Sequence, residues 1–541
     1  MIKRILLLTL LVLTFDAYGQ SIPESFKLGS LKNTEVKKQS DRFVSSTVVT
    51  PNNRRCPISN FITDIYRSGD TVWFATGSGI MRTRDMFNSF DNYVGLAPFG
   101  EDDIAGFALK DNVIAVATAI SEQIGSESVA TGTGIKVSTD YGRSWNTYPQ
   151  PVDGLYDTTV VYGSNTLRAL PVVVRQQNLS YDITITKTKN DLTNYTIWIT
   201  SFAGGLRKST DYGATWSRVL LPPDNLDSIY IGGTYSFALN PRNPPEGSLN
   251  HRAFTVKNLN DSTIIVGTAN GINISTDWGI SWKKSNFQNS GSGTNRVGGN
   301  FVVNLHVQRY GTMEIIWAAT RRAEDLNEVN ALSFSMSKGL TWAYTLEGYS
   351  PNGIFSKDST VYGLTDAGLW RARFGTFDWS KPSLIADPVT KDICKSNSFY
   401  AGNFIGDTLY IGSNDGLLRT RETGVAWASP WKIFRASACL DAGSELKTYA
   451  APNPFSPATE VTRIFYVTGK ASSKVTIKLF DFGMNPVRTI IQNATRTGTN
   501  ESFSIWDGKN DAGYVIANGV YFYRVEIDGD TPLWGKIILM Q

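Results

Sequence analysis

The sequence predicts an all-β protein, a seven-bladed β-propeller followed by a small β-sandwich. The first observation is a polar pattern, Ser-x-Asp-x-Gly-x-x-Trp, that returns at intervals of roughly seventy residues. The second is that an apolar run of strand character and a glycine-containing turn precede each copy. The third is composition, because 27 Phe, 23 Tyr, 14 Trp and 48 Gly among 541 residues favour short strands joined by tight turns.

Seven copies of this frame lie between about Ser45 and Ala438. In each copy an apolar run is followed by a short strand, the polar pattern and its Trp, which together indicate four antiparallel strands, A to D. Radial repetition of such units protects their sheet edges and is the β-propeller arrangement. Six or eight blades remain possible because two copies are degraded. The three intact patterns are Ser138, Asp140, Gly142, Trp145; Ser209, Asp211, Gly213, Trp216; and Ser275, Asp277, Gly279, Trp282.

The repeated pattern is interpreted as scaffold. Its Asp can accept hydrogen bonds from its own turn, its Gly can adopt a positive φ, and its Trp can fill space between sheets. A catalytic carboxylate is normally present once or twice, whereas this one recurs in successive repeats. The weaker copies tolerate change at the Asp position, which is Ser337 in one and Glu422 in another, while a third keeps Asp85 but lacks the Gly and the Trp.

The pattern resembles the Asp-box, also called the bacterial neuraminidase repeat, of sialidases, xyloglucan-cleaving glycoside hydrolases and sortilin-like receptors. The resemblance implies a fold element between strands C and D, away from the functional side of the propeller. Function is therefore expected in the B–C and D–A connections, which share the opposite side. Four of these are long, and they begin after Ile120 and Thr320 and at Tyr230 and Asn286.

These loops carry the candidate ligand-binding residues. A pair of carboxylates such as Glu122 and Glu324 could act on a glycoside if they lie a few ångströms apart, or all of these charges could be solvated. A sialidase is disfavoured because its Arg-Ile-Pro signature is missing. The candidates are Glu122, Tyr235, Arg242, His251, Arg252, Arg296, Arg321, Arg322, Glu324 and Asp325, with Glu127, Tyr230 and Phe237 also in these loops.

The N-terminus predicts export. Lys3 and Arg4 precede an apolar run that is too short to span a bilayer comfortably, and a small-x-small cleavage pattern follows at Ala17–Gly19. A net charge of +4 without a basic stripe argues against nucleic acid as a partner. Cys56, Cys394 and Cys439 form no metal-binding spacing, although one disulfide with one free thiol is possible, and neither a metal nor a cofactor is expected.

The last ninety or so residues contain four alternating runs typical of half-buried strands, starting at Val461, Lys474, Ser502 and Gly519. They resemble the C-terminal sorting domain of the type IX secretion system, and are similar to the immunoglobulin-like domain of the flagellar hook-capping protein. The resemblance implies recognition by the outer-membrane export machinery, while a plain immunoglobulin-like module is the alternative. It is carried by Pro452, Asn453, Pro454, Phe455, Trp506, Asp507, Gly508, Gly519, Val520 and Tyr521.

The sequence thus predicts an exported, non-catalytic β-propeller that binds an extracellular glycan or protein and is secreted or held at the cell surface. The alternative is a glycoside hydrolase acting on extracellular polysaccharide, and a third possibility is an adhesion scaffold. The predicted segments are a signal peptide (1–19), a lead-in (20–44), the propeller (45–440), a linker (441–449) and the immunoglobulin-like sorting domain (450–541).

Overall fold

The computed structural model describes residues 44–436, 440, 446–499 and 501–541. The predicted signal peptide, most of the lead-in and Cys439 lie outside these residues. The described chain is built from forty β-strands and one short 3₁₀-helix, Leu249–His251. Within it, no helix has the length and apolarity needed to cross a membrane.

The first two sheets are antiparallel and have five strands each. Their orders are β2-β6-β5-β4-β3 and β1-β10-β9-β8-β7, so that each is a four-stranded meander with an added outer strand. The strands are β1 (Val44–Val48), β2 (Asn52–Arg54), β3 (Ile62–Ser68), β4 (Thr71–Thr76), β5 (Gly79–Thr83), β6 (Phe90–Asn92), β7 (Asp103–Lys110), β8 (Val113–Ile124), β9 (Glu127–Ser138) and β10 (Ser144–Tyr148).

Two further meanders and a small accessory sheet follow. The meanders are β13-β14-β15-β16 and β19-β20-β21-β22, the second extended by β17, while the accessory sheet is β11-β12-β18. The strands are β11 (Thr159–Tyr162), β12 (Asn165–Ala169), β13 (Asp182–Thr188), β14 (Asp191–Ser201), β15 (Gly205–Ser209), β16 (Ser217–Val219), β17 (Ser228–Ile229), β18 (Ala238–Leu239), β19 (Ala253–Asn258), β20 (Ile264–Thr268), β21 (Gly271–Ser275) and β22 (Trp282–Ser285).

Three more meanders complete this part of the chain. Two have four strands, β23-β24-β25-β26 and β30-β31-β32-β33, and β27-β28-β29 has three. The strands are β23 (Phe301–Tyr310), β24 (Met313–Arg321), β25 (Ala331–Ser335), β26 (Ala343–Thr345), β27 (Pro351–Lys357), β28 (Thr360–Thr365), β29 (Gly368–Arg373), β30 (Phe399–Ile405), β31 (Thr408–Ser413), β32 (Leu417–Arg421) and β33 (Lys432–Phe434).

The described chain separates into two compact units. Unit 1 comprises residues up to Val49, Ala97–Ala367 and Arg371–Trp379, and unit 2 comprises Thr50–Leu96, Gly368–Trp370 and Ser380–Gln541. Unit 2 thus contains the first and last meanders together with the C-terminal region, and the domain boundaries expected from the sequence stay a prediction.

Consecutive meanders of unit 1 pack face to face through apolar side chains. Ile135 of β9 packs in one core with Ile183 and Ile197 of the next meander. Trp198, from the other face of that meander, packs with Val266 of the following one. Face-to-face stacking of successive four-stranded meanders is the building pattern of a β-propeller.

Unit 2 contains the same kind of packing between the first and last meanders. Phe74 of β4 shares a core with Tyr410 and Leu417 of β31 and β32. The Phe87 ring stacks on Tyr410 with ring centroids 4.1 Å apart. A side chain–backbone hydrogen bond from Asn403 to the Ile65 carbonyl, at 3.0 Å, joins β30 to β3.

The C-terminal region is a two-sheet sandwich of seven antiparallel strands. Its sheets are β34-β35-β38 and β37-β36-β39-β40, and both contribute to one core around Trp506 and Tyr466. The expected alternation is clearest in β39, where buried residues alternate with half-buried ones. The strands are β34 (Thr448–Ala451), β35 (Thr462–Val467), β36 (Ser472–Phe480), β37 (Pro486–Thr497), β38 (Glu501–Trp506), β39 (Gly519–Ile527) and β40 (Leu533–Leu539).

One expectation about the loops was wrong. The insertion after Ile120 is not a loop, because β8 and β9 continue as a paired hairpin as far as Ile124 and Glu127. Alternating small and polar residues at 121–131 gave no apolar strand pattern, but their backbone groups pair across the two strands.

Candidate functional site

The repeated Asp closes its own turn. The Asp140 carboxylate accepts hydrogen bonds from the Ser144 backbone N–H (2.9 Å) and the Ser144 hydroxyl (2.6 Å). The Ser138 hydroxyl donates to Asp140 at 2.8 Å and accepts from the Gly142 N–H, also at 2.8 Å. The indole N–H of Trp145 donates to the Gly142 carbonyl at 3.2 Å. Every polar group of the pattern is therefore used within the turn.

The other intact copies have the same geometry. The Thr215 N–H and hydroxyl donate to Asp211 at 2.9 and 2.6 Å, and the Ser281 N–H donates to Asp277 at 2.8 Å. Although burial alone would raise their pKa values, hydrogen bonds from Ser or Thr hydroxyls and backbone N–H groups hold the pKa of Asp140, Asp211 and Asp277 below the usual value. These carboxylates are fixed in the ionised form as turn acceptors.

The degraded copies preserve the turn by substitution. The Ser337 hydroxyl takes the Asp position and accepts from the Thr341 N–H at 2.8 Å. Asp85 accepts from the Ser89 N–H at 2.9 Å, with Phe87 at the Gly position and a φ of 73°. In the copy of Glu422 the carboxylate accepts instead from the Gly424 N–H at 2.7 Å, so this turn differs from the others.

The B–C and D–A connections of unit 1 meet one another. The D–A segment 149–181, which the sequence did not single out, contacts the β8–β9 hairpin through the bridge between Gln176 and Thr131. Its strand β12 pairs in parallel with β18 of the next D–A connection. The sequence does carry a pattern that could have indicated this segment. The stretch "TVVYGSNTLRAL", which begins at Thr159, contains two short β-type runs on either side of Gly-Ser-Asn.

An apolar groove of about 640 Å³ lies between the two D–A connections. Val173 and Val174 are 43% and 51% exposed there. Arg252 borders the groove, with its guanidinium 4.7 Å from the centroid of the Phe202 ring. The groove is lined by Leu170, Pro171, Val172, Val173, Val174, Phe202, Ala203, Pro241, Arg242, Asn243, Pro244, Pro245, Glu246 and Arg252.

A buried ion pair fixes one wall of this groove. Arg207 of β15 and Arg218 of β16 are cross-strand partners, and the Asp153 carboxylate lies 2.8 and 3.6 Å from their guanidinium nitrogens. The Val172 N–H also donates to Asp153, at 2.8 Å. The strand pair therefore holds the segment that carries the exposed valines.

A polar groove of about 660 Å³ adjoins the apolar one, and Pro244 lines both. Its charged lining residues are all acidic. Amide side chains supply most of its remaining polar surface. The groove is lined by Asp224, Asp227, Pro244, Leu249, Ala269, Asn270, Asn286, Gln288, Asn289, Asn300, Ala323, Glu324, Asp325 and Glu328.

Glu328, which the sequence analysis did not single out, is the most buried acid of the polar groove, at 3% exposure. It accepts hydrogen bonds from the Ala323 N–H (2.7 Å), the Asn300 N–H (3.0 Å) and the Asn300 amide (2.7 Å). Burial raises the pKa of this carboxyl despite those bonds. Glu328 thus joins a B–C loop to a D–A loop.

Asp224 organises the opposite wall. Its carboxylate accepts from the Leu249 N–H (2.8 Å), the Asn250 N–H (2.9 Å) and the Asn270 amide (2.8 Å). Burial by itself would raise the pKa of Asp224. The hydrogen bonds from Asn270 and from the two backbone N–H groups have the larger effect, so that the pKa is lowered. Most of the hydrogen bonds that Glu328 and Asp224 accept therefore come from backbone N–H groups of the loops.

Two of the predicted ligand-binding residues lie in the interior. His251 is 2% exposed, and its Nδ1 accepts from the Asn240 N–H at 3.1 Å. Burial lowers its pKa. Arg252 is 7% exposed and donates to the Pro241 carbonyl (2.6 Å) and Asn243 (2.7 Å). His251, in the 3₁₀-helix, therefore points into the protein, whereas Arg252 follows that helix and borders the apolar groove.

The side chains of three other predicted residues are engaged, Glu122 across the contact of two connections and Tyr235 and Arg242 within their own D–A connection. Glu122 accepts from Thr131 (3.0 Å) and Gln176 (2.8 Å), which places it at the hairpin contact, and it is not among the residues that line the polar groove with Glu324. The Tyr235 hydroxyl accepts from the Tyr230 N–H at 2.9 Å. Arg242 is exposed and forms an ion pair with Glu246 at 3.1 Å.

Of the remaining predicted residues, Glu324 and Asp325 line the polar groove. Arg296 stacks over Phe287 at 3.9 Å, and Arg321 donates to the Pro351 carbonyl at 3.1 Å. Arg322 and Glu324 are exposed. The Asn327 N–H donates to Asp325 at 2.9 Å, and this bond holds the pKa of Asp325 below its usual value.

The residues of the sorting-domain resemblance hold the sandwich together. The Asn453 amide donates to the Lys536 carbonyl, and its oxygen accepts from the Ile538 N–H, both at 2.8 Å. Phe455 packs on the buried Trp506, with ring centroids 5.3 Å apart. A Cβ on Gly508 would lie 2.4 Å from Pro457, so only glycine fits there. The motif thus joins the start of the sandwich to β40.

The cysteines and acidic clusters add no metal centre in the described residues, where no group of three or more His, Cys, Asp or Glu side chains is placed to hold an ion. Cys56 is disulfide-bonded and Cys394 is a free thiol. Burial raises the pKa of Cys394, which disfavours its reactive thiolate.

No protein-family model matches the chain, and no curated protein resembles it closely enough to be a relative. Solved structures do resemble it. PorZ, a surface component of the type IX secretion system of Porphyromonas gingivalis, is 13% identical with a TM-score of 0.30, over 89% of this chain and 66% of that one.

Two further structures are similar. The GH74 enzyme of Niastella koreensis is 13% identical with a TM-score of 0.45, over 78% of this chain and 59% of that one. YCF48 bound to a D1 peptide is 12% identical with a TM-score of 0.40, over 71% and 98%. This chain therefore spans less than two thirds of the GH74 enzyme and about two thirds of PorZ. Its function has to be inferred from its own residues.

Proposed function

We propose that this protein is an exported, non-catalytic seven-bladed β-propeller with an immunoglobulin-like sorting domain, and that it binds an extended extracellular polypeptide. The observation that carries this function is the apolar groove. Two adjacent valines, Val173 and Val174, are exposed along it, and prolines from both D–A connections line it. Exposed contiguous apolar surface beside polar residues is typical of an interaction site.

A polypeptide suits this groove better than a glycan. The aromatic ring among its described lining residues is Phe202, which the Arg252 guanidinium covers at 4.7 Å, and Val, Leu, Pro and Ala supply the other apolar side chains, so that no open ring face is offered to a sugar. Further apolar side chains are exposed on the same D–A segment, including Leu155 at 64% and Tyr156 at 89%. Apolar anchors and an extended chain fit such a surface.

The adjoining polar groove favours a positive charge on the ligand. Its charged lining residues are Asp224, Asp227, Glu324, Asp325 and Glu328, without Lys or Arg. A ligand that continues from the apolar groove past Pro244 would therefore gain from a Lys or Arg side chain. The favoured ligand is a peptide segment with apolar residues followed by a basic one.

The test is fluorescence anisotropy with extended synthetic peptides that combine valine and leucine with one lysine, compared with the same peptides carrying glutamate. Val174→Asp should weaken binding of the lysine peptides at least about tenfold, as expected for loss of one buried apolar anchor. Val389→Asp, at a valine 73% exposed in unit 2, is the matched control. Equal binding of both peptide series, or no effect of Val174→Asp, would refute this function.

A glycoside hydrolase is the second candidate, favoured by one observation. Glu328 has a raised pKa and lines the polar groove with Glu324 and Asp325, as an acid and its partner carboxylate would. The binding function predicts no release of reducing ends from xyloglucan or other polysaccharides. Release by the unaltered protein, abolished in Glu328→Gln with the fold intact, would establish the hydrolase instead.

Export through the sorting domain is tested separately. In a bacterium with a type IX system, the full chain should reach the cell surface or medium, while a truncation ending at residue 445 should remain in the periplasm. Surface delivery of the truncated chain would contradict the sorting role without affecting the peptide-binding assay. A folded periplasmic product is verified by its thermal unfolding.

A further inference from the structure

The outer face of the four-stranded sheet of the sandwich carries aromatic and basic side chains together. Along β36 and β39, Ile477, Leu479, Tyr523 and Val525 point into the core. Because side chains alternate along a strand, the residues between them point outward. In the described chain these outward residues are half-buried, whereas the inward ones are buried.

The outward residues form two neighbouring rows across the strands. Cross-strand pairing places Lys478, Arg524 and Trp534 in one row, and Phe480, Phe522 and Lys536 in the next. Adjacent strands are about 4.8 Å apart and adjacent rows about 7 Å. Rings and cations are thus interleaved over a continuous area.

The ring contacts fix this surface. Phe480 and Trp534 have centroids 5.7 Å apart, and the Arg524 guanidinium lies 5.3 and 5.5 Å from those two rings. Phe482, in the β36–β37 turn, lies 6.2 Å from Phe522. The aromatic side chains therefore form a preorganised platform.

The platform is exposed and cationic. Phe482 is 80% exposed and Trp534 is 46% exposed. Large apolar side chains exposed together in this way are typical of interaction surfaces. Glu526, also outward on β39, pairs with Arg524, and the two rows themselves contain the cations Lys478 and Lys536 and no acidic residue. Asp481, next to Phe482, is occupied by the amide and N–H of Asn485.

From this juxtaposition we infer that the outer face of the sheet binds an acidic polysaccharide. Aromatic ring faces attract the partly positive C–H groups of sugar rings, and lysines between them can pair with regularly spaced carboxylates. A protein partner fits less well, because lysine is depleted from the centres of protein interfaces, whereas here it alternates with the rings. This inference is independent of the peptide-binding function of unit 1.

The experiment measures binding of the full chain to immobilised polygalacturonate, with neutral dextran as the uncharged comparison. Phe522→Ala combined with Trp534→Ala should weaken binding at least about tenfold, and so should Lys478→Glu combined with Lys536→Glu. Binding should also weaken as salt rises from about 0.05 to 0.5 M, since ion pairs are screened. The charge variant keeps the test informative if the aromatic variant fails to fold.

Tyr514→Ala is the matched control, because Tyr514 is 72% exposed on the same sandwich but outside the two rows. It should bind as the unaltered chain does. Equal retention on dextran, or full binding by both double variants, would overturn the inference. Binding to polyglutamate or to anionic phospholipid vesicles in place of polygalacturonate would overturn it in favour of an acidic protein or a membrane.

Discussion

At the scale of single residues, the structural role of the recurring Asp follows from the hydrogen bonds that its carboxylate accepts. In Asp140, Asp211 and Asp277 the same carboxylate accepts from a backbone N–H four residues on and from the hydroxyl of the Ser at the start of the turn. Where Ser337 replaces the acid, the same N–H donates to a hydroxyl. Residue identity thus varies while the turn is kept, which explains why the pattern tolerates substitution.

The lowered pKa values predict acid lability. Stabilisation by Asp140, Asp211 and Asp277 is complete above their unfolded pKa of about 3.9 and is lost as pH falls through the lower folded values. The free energy of unfolding, measured with urea, should fall between pH 5 and pH 2. Replacing all three by Asn should flatten this dependence.

The matched variant for that measurement is Ser337→Asp, which offers a carboxylate to the Thr341 N–H and hydroxyl. It should stabilise the protein at pH 7 by about 1 kcal/mol and steepen the loss in acid. An unchanged pH profile in both variants would contradict the turn role of the acids.

Met86 and Phe87 allow the effect of backbone strain on stability to be compared with the effect of side-chain packing. Both have a positive φ, 55° and 73°, but Met86 is exposed whereas Phe87 is buried against Tyr410. Met86→Gly should stabilise by about 0.5–1 kcal/mol through relief of strain. Phe87→Gly should destabilise by about 2–4 kcal/mol, because the lost ring outweighs that relief. Urea unfolding decides, and stabilisation by Phe87→Gly would refute the packing argument.

At the scale of elements, a buried polar residue on strand C attaches each neighbouring connection in three consecutive meanders. Arg207 holds Asp153, Asn273 holds Asn250 at 2.9 Å, and the Ser333 hydroxyl accepts from the Gly298 N–H at 3.0 Å. The corresponding residue of the preceding meander, Lys136, is buried, and burial lowers its pKa to about 8. Strand C therefore fixes the loops that form the grooves.

The Asp153 ion pair is the sharpest test of that attachment. Asp153→Asn leaves two buried guanidinium groups without a counter-charge and should destabilise the protein by about 3–5 kcal/mol. Asp157→Asn, at an exposed residue of the same segment, should cost less than about 1 kcal/mol. Urea unfolding gives both values, and comparable effects would contradict the anchoring role.

At the scale of the molecule, buried ion pairs connect the sandwich to the last meander within unit 2. Asp392 lies 3.1 Å from Arg435, next to β33, and 2.8 Å from Arg463 of β35. Arg435 also pairs with Asp415 at 2.7 Å. Because these side chains are largely buried, the two parts of unit 2 are expected to unfold together.

Asp392→Asn should therefore lower the free energy of unfolding by about 3–5 kcal/mol and split unit 2 into two transitions. Lys395→Met, which removes the exposed end of the 2.6 Å pair with Glu460, should cost less than about 1 kcal/mol. Calorimetry distinguishes the outcomes. A single unshifted transition in Asp392→Asn would show that the ion pairs do not couple the two parts.

The sequence alone determined the class of secondary structure, the repeat and the role of its Asp. These depend on local spacing, since a turn such as 138–145 satisfies its donors and acceptors within eight residues. The strands of the sandwich followed from alternation for the same reason. The position of some long connections, as at Tyr230, was also accessible because insertions interrupt a regular frame, whereas the paired hairpin after Ile120 was not.

Only the tertiary structure decided which loop residues meet. It turned His251 inward, placed Glu122 at the contact with Gln176, and brought Glu328 onto Asn300, because long-range contacts leave no periodic trace in sequence. The same holds for the aromatic and basic rows of the sandwich, whose members come from three strands that only cross-strand pairing aligns.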